Sequence, residues 1–294
     1  MRVVVAGGSG LIGSALLPVL RSAGHNVVQL VRRPAGAEQA RWDPPAGRID
    51  AGALDGADAV VNLCGVGVAD RWWSEARKQL LRDSRVEPTE VLADAVARYG
   101  VGTLVNASGV DFYGDTGDRE VDESSPNGTG FLAELCRVWE GATEPAHRAG
   151  ARVVTLRIAP VLSADGGIMA VLRPTYKLLL GVRLGSGRQF FPWIHLDDVL
   201  AAVLAAVQRP SLRGAVNLVA PQQVTFGQFS RALAASVHRP VPWVVPEFAI
   251  RAVAGEMAAV VLDSHRVRPA ALLADGFGFR HPRLDGALAA LSRP

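Results

Sequence analysis

The chain has 294 residues, 49% of them hydrophobic and 20% charged, which gives enough apolar material for a substantial core and excludes a mainly disordered protein. Its two cysteines are too few for a disulfide framework, and no further ligands near them suggest a metal site. The net charge of +3 comes from basic and acidic residues interleaved along the chain, which argues against a nucleic-acid partner.

No stretch of the sequence predicts a membrane segment. The longest unbroken apolar run, residues 199–207, is far shorter than the roughly 18 to 20 residues that cross a bilayer. The first residues lack the apolar core, about 7 to 15 residues long, and the small-residue cleavage site of a signal peptide. We therefore expect a cytoplasmic protein without a membrane partner that acts on a small molecule, with a homodimer as one possible assembly.

Short β-branched runs alternate with longer helical patterns through the first two thirds of the chain, which predicts a parallel sheet with helices on both faces. The predicted strands are residues 3–6, 27–31, 59–63, 104–107, 153–156 and, further along, 216–219. The predicted helices are residues 11–23, 74–99 and 131–149.

From residue 162 the pattern changes, because glycine and proline punctuate the chain and most later segments read as helical. We therefore predict an α/β protein: a Rossmann-type doubly wound parallel sheet in residues 1–161 and a smaller C-terminal substrate lobe in residues 162–294. The lobe is expected to be discontinuous, with parts that join the sheet. It would close over the carboxyl edge of the sheet, where open α/β folds bind ligands.

The first predicted strand runs directly into a glycine loop and then a helix. Gly7 permits the tight turn, Gly10 lets the backbone approach a pyrophosphate, and Gly13 allows the helix to pack closely on the strand. The amide groups and the positive dipole at the start of the helix then face the phosphates. A purely structural turn is the alternative. The pattern favours a dinucleotide site that comprises Gly7, Ser9, Gly10, Leu11, Ile12 and Gly13.

The second predicted strand ends in Arg32 and Arg33, where an NAD-selective fold carries an acidic residue against the ribose 2′-hydroxyl. Guanidinium groups match the 2′-phosphate of NADP instead. A solvated pair at a strand end is the alternative reading. We predict NADP(H) rather than NAD(H) as the cofactor.

The third predicted strand leaves the sheet through Leu63, Cys64 and Gly65. A buried strand with a glycine exit is suited to passing close to the adenosine and diphosphate of a cofactor. It is also common in ordinary packing. We include the three residues in the predicted cofactor site.

These residues, with further motifs along nearly the whole chain, resemble the extended short-chain dehydrogenases/reductases, and more narrowly their atypical, epimerase-like branch with its own C-terminal extension. The further motifs include Trp42 Asp43 Pro44, Ser84 Arg85, Phe112 Tyr113 Gly114 Asp115, Trp139 Glu140, Asp165 Gly166 Gly167, Gly185 Ser186 Gly187 and Pro192 Trp193 Ile194 His195. In the tail, the resembling residues are Gly255 Glu256 Met257, Gly276 Phe277 and Ala287 Leu288. The resemblance implies NADP(H) binding and chemistry at a hydroxyl or carbonyl group.

Ordinary members of this family use a Tyr-x-x-x-Lys pair, in which the phenol is the general acid and the ammonium lowers its pKa. None of the 3 tyrosines of this chain has a lysine four residues on. The resemblance implies that Leu132 and Cys136 occupy the two positions, and neither side chain can replace the pair. A buried, inert Cys136 is the simplest interpretation.

Ser108 and Tyr113 are the predicted catalytic residues. The resemblance implies that Ser108 corresponds to the serine that hydrogen-bonds a substrate oxygen, and Tyr113 is the phenol nearest to it in sequence. The register is open, because Ser108 stands five residues before Tyr113 whereas the family spacing is four. A capped strand end and a packed aromatic ring are the alternatives.

The resemblance adds three residues to the predicted cofactor site. Arg85 replaces an asparagine that normally completes the active site, and it would contact the cofactor or form a surface ion pair. Pro160 and Val161 resemble the strand exit that lines the nicotinamide pocket. His195, beside two aspartates, is expected to be a structural hydrogen-bonding group at a helix start.

Two functions remain open on the sequence alone. One is an NADP(H)-dependent oxidoreductase or epimerase that acts on a small hydroxyl- or carbonyl-bearing substrate, with Ser108 polarising the substrate oxygen and Tyr113 or a water relaying the proton. The other is a non-catalytic NADP(H)-binding redox sensor or interaction module, which the missing Tyr-x-x-x-Lys pair favours.

Overall fold

The secondary structure of the computed structural model, which describes residues 1–33 and 36–291, alternates strands and helices along the chain. The strands are β1 Arg2–Ala6, β2 Asn26–Val31, β3 Gln39–Asp43, β4 Arg48–Ile49, β5 Ala59–Asn62, β6 Thr103–Gly109, β7 Arg152–Ile158, β8 Val161–Ser163, β9 Gly166–Gly167, β10 Val182–Leu184, β11 Ile194–His195, β12 Gly214–Leu218 and β13 Trp243–Val245. The α-helices are α1 Leu11–Ser22, α2 Glu75–Tyr99, α3 Phe131–Gly141, α4 Glu144–Arg148, α5 Ile168–Lys177, α6 Leu196–Gln208, α7 Phe226–Ser236, α8 Glu247–Ala254, α9 Ala259–Leu262, α10 Ala270–Ala274 and α11 Leu284–Ala290. Short 3₁₀ helices cover Pro44–Ala46, Val110–Tyr113 and Gly255–Ala258.

The central sheet has 8 strands in the order β12-β7-β6-β5-β1-β2-β3-β4. All neighbouring pairs are parallel except β3 and β4. The chain leaves β1 in one direction through β2 and β3 and then returns to β5 on the other side of β1. The strand order therefore reverses between β1 and β5, which creates a crevice at their carboxyl ends. The prediction of a Rossmann-type doubly wound sheet is confirmed.

Strand β1 lies at the centre of the sheet because both of its faces are apolar. Val3, Val4 and Val5 are each 0% exposed. Val3 and Val5 belong to the core formed with α1 and α6, whereas Val4 belongs to the core formed with α2 on the opposite face. An uninterrupted valine run is what a strand covered by helices on both sides requires.

The predicted helix over residues 131–149 is wrong in its continuity. Helix α3 ends at Gly141, and α4 begins at Glu144 with Pro145 in its first turn. Proline has no N–H for the helical ladder, and its ring clashes with the carbonyl four residues earlier. That carbonyl belongs to Gly141, so the chain turns there.

The segment after residue 161 is shared between the sheet and a smaller lobe. Helix α6 packs on the central sheet and β12 joins its edge beside β7, while α5, α7 and α11 surround a separate core that includes Trp193 and Phe229. The division into two domains at residue 161 stays a prediction. The last residues of the predicted C-terminal lobe, 292–294, lie outside the described part of the chain. Within residues 1–33 and 36–291, no helix has the length and apolar character required to cross a bilayer.

The close approach of α1 to β1 gives a test of the fold. A Cβ on Gly13 would lie 2.2 Å from the carbonyl oxygen of Gly7, whereas a Cβ on Gly10 would lie 3.5 Å from that oxygen, an ordinary contact. We expect Gly13→Ala to lower the free energy of unfolding by about 1 to 3 kcal/mol through overpacking. Gly10→Ala, the matched control, should melt like the wild type in thermal denaturation. Equal melting temperatures for all three proteins would contradict this account.

Candidate active site

A cleft of about 350 Å³ opens at the carboxyl ends of β1, β5 and β6, at the point where the strand order reverses. We call it the first cleft. The residues that line it are Gly7, Gly10, Leu11, Ile12, Gly13, Leu63, Cys64, Gly65, Val66, Gly67, Val68, Arg85, Ala107, Ser108, Gly109, Asp111, Leu132, Leu135, Cys136, Trp139, Ile158 and Val161.

The glycine loop forms one wall of the first cleft. Gly7 has a φ of 78°, and a Cβ there would lie 2.6 Å from the carbonyl carbon of Leu63, so the turn and the β5 exit touch directly. Gly10 caps α1 without a side-chain hydrogen bond, and the first turn carries no acidic residue. The amide groups at this helix end therefore face the cleft with their positive dipole uncompensated within α1.

Asn62 shapes the second wall, at the exit of β5. Its side-chain oxygen accepts a hydrogen bond of 3.1 Å from the backbone N–H of Cys64. Its Nδ2 donates to Asn106 and to Thr89, at 2.8 and 2.9 Å. Trp139 Nε1 donates to the same Thr89 hydroxyl, at 3.0 Å. This buried polar network positions residues 63–65, and its side chains were not among the predicted site residues.

Arg85 lies against the first cleft without an acidic partner among residues 1–33 and 36–291. It is 8% exposed, and its guanidinium donates to the carbonyl oxygens of Leu81 and Val66, at 3.0 and 2.9 Å. The guanidinium also lies 5.2 Å from the ring centroid of Trp139. Burial lowers its pKa. The alternative of a surface ion pair is therefore not found among the described residues, and a positive charge is held beside the loop that follows β5.

A buried ion pair joins β7 to α3 next to Ser108. Arg157 donates to both carboxylate oxygens of Glu140, each at 2.9 Å, and to the hydroxyl of Tyr113, also at 2.9 Å. Ser108 donates to Glu140 at 2.7 Å. Burial lowers the pKa of Arg157, but Glu140 and Tyr113 outweigh it and hold the pKa above its ordinary value. One carboxylate thus fixes both the serine and the arginine.

Tyr113 is placed differently from the prediction. It is 1% exposed, lies outside the lining of the first cleft, and donates a hydrogen bond of 2.7 Å to Asn217 in addition to accepting one from Arg157. Burial raises the pKa of its phenol to about 12. The ring packs in the core, so its placement argues against direct contact with a ligand in the cleft. Glu140, rather than Tyr113, is the polar side chain that bonds Ser108, and it was not among the predicted site residues. Its only signal in the sequence was the Trp139 Glu140 pair.

The two positions that the resemblance assigns to the family's Tyr-x-x-x-Lys pair lie in the first cleft. Leu132 and Cys136 both line it. Cys136 is 5% exposed, and burial raises the pKa of its thiol to about 12. A neutral thiol and an aliphatic chain make this wall apolar, as the sequence indicated.

The remaining predicted residues lie around the first cleft. Arg32 and Arg33 are exposed at the end of β2 and form no hydrogen bond or ion pair within the described residues. Val161 lines the cleft, whereas Ser9 and Pro160 do not. His195 caps α6 by accepting a hydrogen bond of 3.1 Å from the N–H of Asp197, which agrees with a structural role.

A second cleft, of about 230 Å³, adjoins the first. The two share Asp111 and Leu132 in their linings. The far wall of the second cleft comes from the C-terminal part of the chain and includes Glu256, Ala259, Asp263 and His265. Trp73 and Phe131 form its aromatic side, with ring centroids 5.1 Å apart.

The sheet order, the glycine turn and the cleft at the reversal point define a dinucleotide-binding protein of the Rossmann class. Residues 3–218 match the NAD dependent epimerase/dehydratase family, and the chain belongs to this family. Residues 245–291 match a domain of unknown function, DUF1731. The resemblance expected from the motifs is confirmed.

Individual relatives extend the likeness over the whole chain. An epimerase family protein of Mycobacterium tuberculosis is 51% identical over 99% of this chain and 98% of its own length. The crystal structure of human epimerase family protein SDR39U1 (isoform 2) with NADPH is 33% identical, covers 99% of both chains and has a TM-score of 0.91. The nucleoside-diphosphate sugar epimerase from Corynebacterium glutamicum is 35% identical with a TM-score of 0.83, and the match covers 99% of this chain and 57% of that one.

The buried pair of Arg157 and Glu140 can be tested by substitution. Their side chains are 6% and 16% exposed, so Glu140→Gln leaves a buried guanidinium without its counter-charge. We expect a loss of about 3 kcal/mol or more in the free energy of unfolding. The matched control is Glu144→Gln, which removes an exposed i,i+4 pair with Arg148 and should cost at most about 0.5 kcal/mol. Urea denaturation measures both, and equal effects would refute the assignment.

Proposed function

We propose that this chain is an NADP(H)-dependent oxidoreductase or epimerase that acts on a small molecule with a hydroxyl or carbonyl group. Membership of its family supports a general NAD(P)-dependent, epimerase-like function. The observation that carries the finer proposal is the glycine cradle at the first cleft, next to a serine held by a buried carboxylate. The human relative solved with NADPH supports the choice of cofactor.

The residues of the first cleft fit a dinucleotide. Gly10 has no steric reason to be glycine within the protein, since a Cβ there would make only an ordinary contact at 3.5 Å. A ligand that approaches the backbone supplies the reason. The amide groups that open α1 would hold the diphosphate, Arg32 and Arg33 the 2′-phosphate, and Val161 one face of the nicotinamide. When bound, the nicotinamide exchanges a hydride with a carbon of the substrate.

The hydrogen bond from Ser108 to Glu140 defines how the serine can serve a substrate. Because the Ser108 proton is directed to the carboxylate, its oxygen faces the cleft as a hydrogen-bond acceptor. It can therefore receive a bond from a substrate hydroxyl. Glu140 binds Ser108 and Arg157 but does not line the first cleft, so Glu140 is a positioning residue. Proton exchange is left to water or to a carboxyl group at the cleft rather than to Tyr113.

A second candidate is a non-catalytic NADP(H)-binding sensor. The apolar wall of Leu132 and Cys136 favours it, because neither a tyrosine nor a lysine lines the first or second cleft within the described residues. General acid–base catalysis by a placed side chain is worth about 10² to 10⁴ in rate. Binding with no turnover is what this candidate predicts.

Turnover separates the two candidates. Purified protein is mixed with NADPH and a panel of aldehydes and ketones, and with NADP⁺ and the corresponding alcohols, and absorbance at the reduced-cofactor band is followed. We expect Ser108→Ala to lower kcat/KM for the alcohols by about 10²-fold or more with NADP⁺ affinity unchanged, because the substrate hydroxyl loses its acceptor. Ser124→Ala, a surface serine, is the control. Tight cofactor binding without turnover on any member of the panel would favour the sensor.

The arginines after β2 give a prediction about cofactor choice. Loss of a charge-assisted hydrogen bond to a phosphate costs about 1.5 to 3 kcal/mol, or roughly tenfold to a hundredfold in affinity. Arg32→Ala with Arg33→Ala should weaken NADPH binding by that factor and leave NADH nearly unchanged. Arg48→Ala, an exposed arginine on β4, is the matched control. Calorimetric titrations measure each dissociation constant, and equal wild-type affinities for the two cofactors would disprove the assignment.

A further inference from the structure

The second cleft carries an unbalanced negative charge. Three carboxylate side chains line it, those of Asp111, Glu256 and Asp263, and its lining contains neither arginine nor lysine within the described residues. Asp111 and Asp263 form no side-chain hydrogen bond or ion pair in the described part of the chain. Only Glu256 has a counter-ion, because Lys78 binds it.

Three basic groups near this cleft, Lys78, Arg251 and Arg85, are already engaged. Lys78 bridges Glu256 and Glu75, the latter at 3.2 Å. Arg251 pairs with Glu247 at 2.9 Å. Arg85 lines the first cleft, and its guanidinium is bonded to carbonyl oxygens. None of them pairs with Asp111 or Asp263.

The state of Asp263 reflects the missing counter-charge. Burial raises the pKa of its carboxyl, and the charges of Asp115 and Asp111 raise it further, while His265 and Arg251 oppose them. A positively charged ligand would relieve this cost, because it would supply the charge that the protein does not place there.

His265 provides an independent sign of a ligand in this cleft. It is only 9% exposed, yet its imidazole has no hydrogen-bond partner among residues 1–33 and 36–291. Its ring nitrogens are not fully enclosed by protein atoms, so they can be reached from the cleft. His265 lines the cleft beside Asp263, so a ligand there could satisfy it.

We propose that the second cleft is the substrate site and that it selects a small molecule bearing a protonated amine, held by Asp111 and Asp263 with His265 as a further hydrogen-bonding group. This inference rests on the proposed function, which supplies the hydroxyl or carbonyl group of the substrate that reacts. Because Asp111 and Leu132 belong to both clefts, a ligand in the second cleft can extend its hydroxyl or carbonyl group toward Ser108. The C-terminal segment of residues 245–291 thereby acquires a role, since it supplies Asp263 and His265.

The same charge argues against a nucleoside diphosphate sugar at this position. A diphosphate would bring two negative charges against carboxylates, with no guanidinium in the lining to bind them. The relative from Corynebacterium glutamicum is named a nucleoside-diphosphate sugar epimerase. This chain is expected to differ from that description in its substrate.

Three probes that share a phenyl ring and differ in charge test the preference: benzylamine, benzyl alcohol and benzoate. Their aromatic ring suits the wall formed by Trp73 and Phe131. Saturation-transfer NMR titrations on the full chain, with and without NADPH, give each dissociation constant. We expect benzylamine to bind at least about tenfold more tightly than benzyl alcohol, the effect of one charge-assisted hydrogen bond, and benzoate most weakly. UDP-glucose should not displace benzylamine.

The variants Asp263→Asn and Asp111→Asn keep the side-chain shape and remove the charge. Each should weaken benzylamine about tenfold and leave benzyl alcohol unchanged. Asp94→Asn, at an exposed position near the carboxyl end of α2, is the control for net charge, and unchanged thermal melting curves show that the variants fold. Equal affinity for the three probes, tighter binding of benzoate or UDP-glucose, or insensitivity to both substitutions would overturn the inference. Selective amine binding without turnover on any carbonyl would sink the proposed enzyme and leave the amine site standing.

Discussion

The ion pair between Arg157 and Glu140 organises the candidate site, because it ties β7 to α3 across the wall that carries Ser108. Burying two charges is costly unless their geometry is good and their remaining hydrogen-bonding capacity is satisfied. Both conditions are met here, since the pair is bidentate and the free positions are taken by the hydroxyls of Ser108 and Tyr113. The ring of Phe112, 3.4 Å from the guanidinium carbon, covers its face. The orientation of Ser108 toward the cleft is therefore a consequence of core packing.

The glycine turn imposes the second constraint on the site, and its three glycines differ in kind. Gly7 and Gly13 are required by the protein itself, because a Cβ on either would overlap backbone atoms. Gly10 is not, and its freedom is useful only to something outside the chain. This separation agrees with the roles that the sequence motif predicts for the three glycines, and it identifies the part of the turn that is left free for a ligand. It also explains how the fold and the cofactor site can share one motif without competing.

The sheet could be predicted from the sequence because its signals are local. Buried valine runs and a glycine turn specify β1 and its neighbours, and helix ends follow from single residues. The break at Gly141 was equally local, and Pro145 was its available signal. The polar interior of the site could not be predicted in this way. The partners of Tyr113 are Arg157 and Asn217, on strands brought together only by the sheet, and the walls of the second cleft come from segments more than a hundred residues apart.

The missing Tyr-x-x-x-Lys pair and the acidic lining of the second cleft are physically related, because a lysine near the clefts would oppose the binding of a cation. Leu132 lines both clefts, and Cys136 lies on the same helix. A lysine at position 136 would place an ammonium group beside this shared wall. Such a charge would neutralise Asp111 and repel a protonated amine in the second cleft. With a neutral thiol there instead, the carboxylates of Asp111 and Asp263 keep their full attraction for a cation. The C-terminal segment, which contributes Asp263 and His265, then carries the side chains on which the proposed recognition of a cation depends.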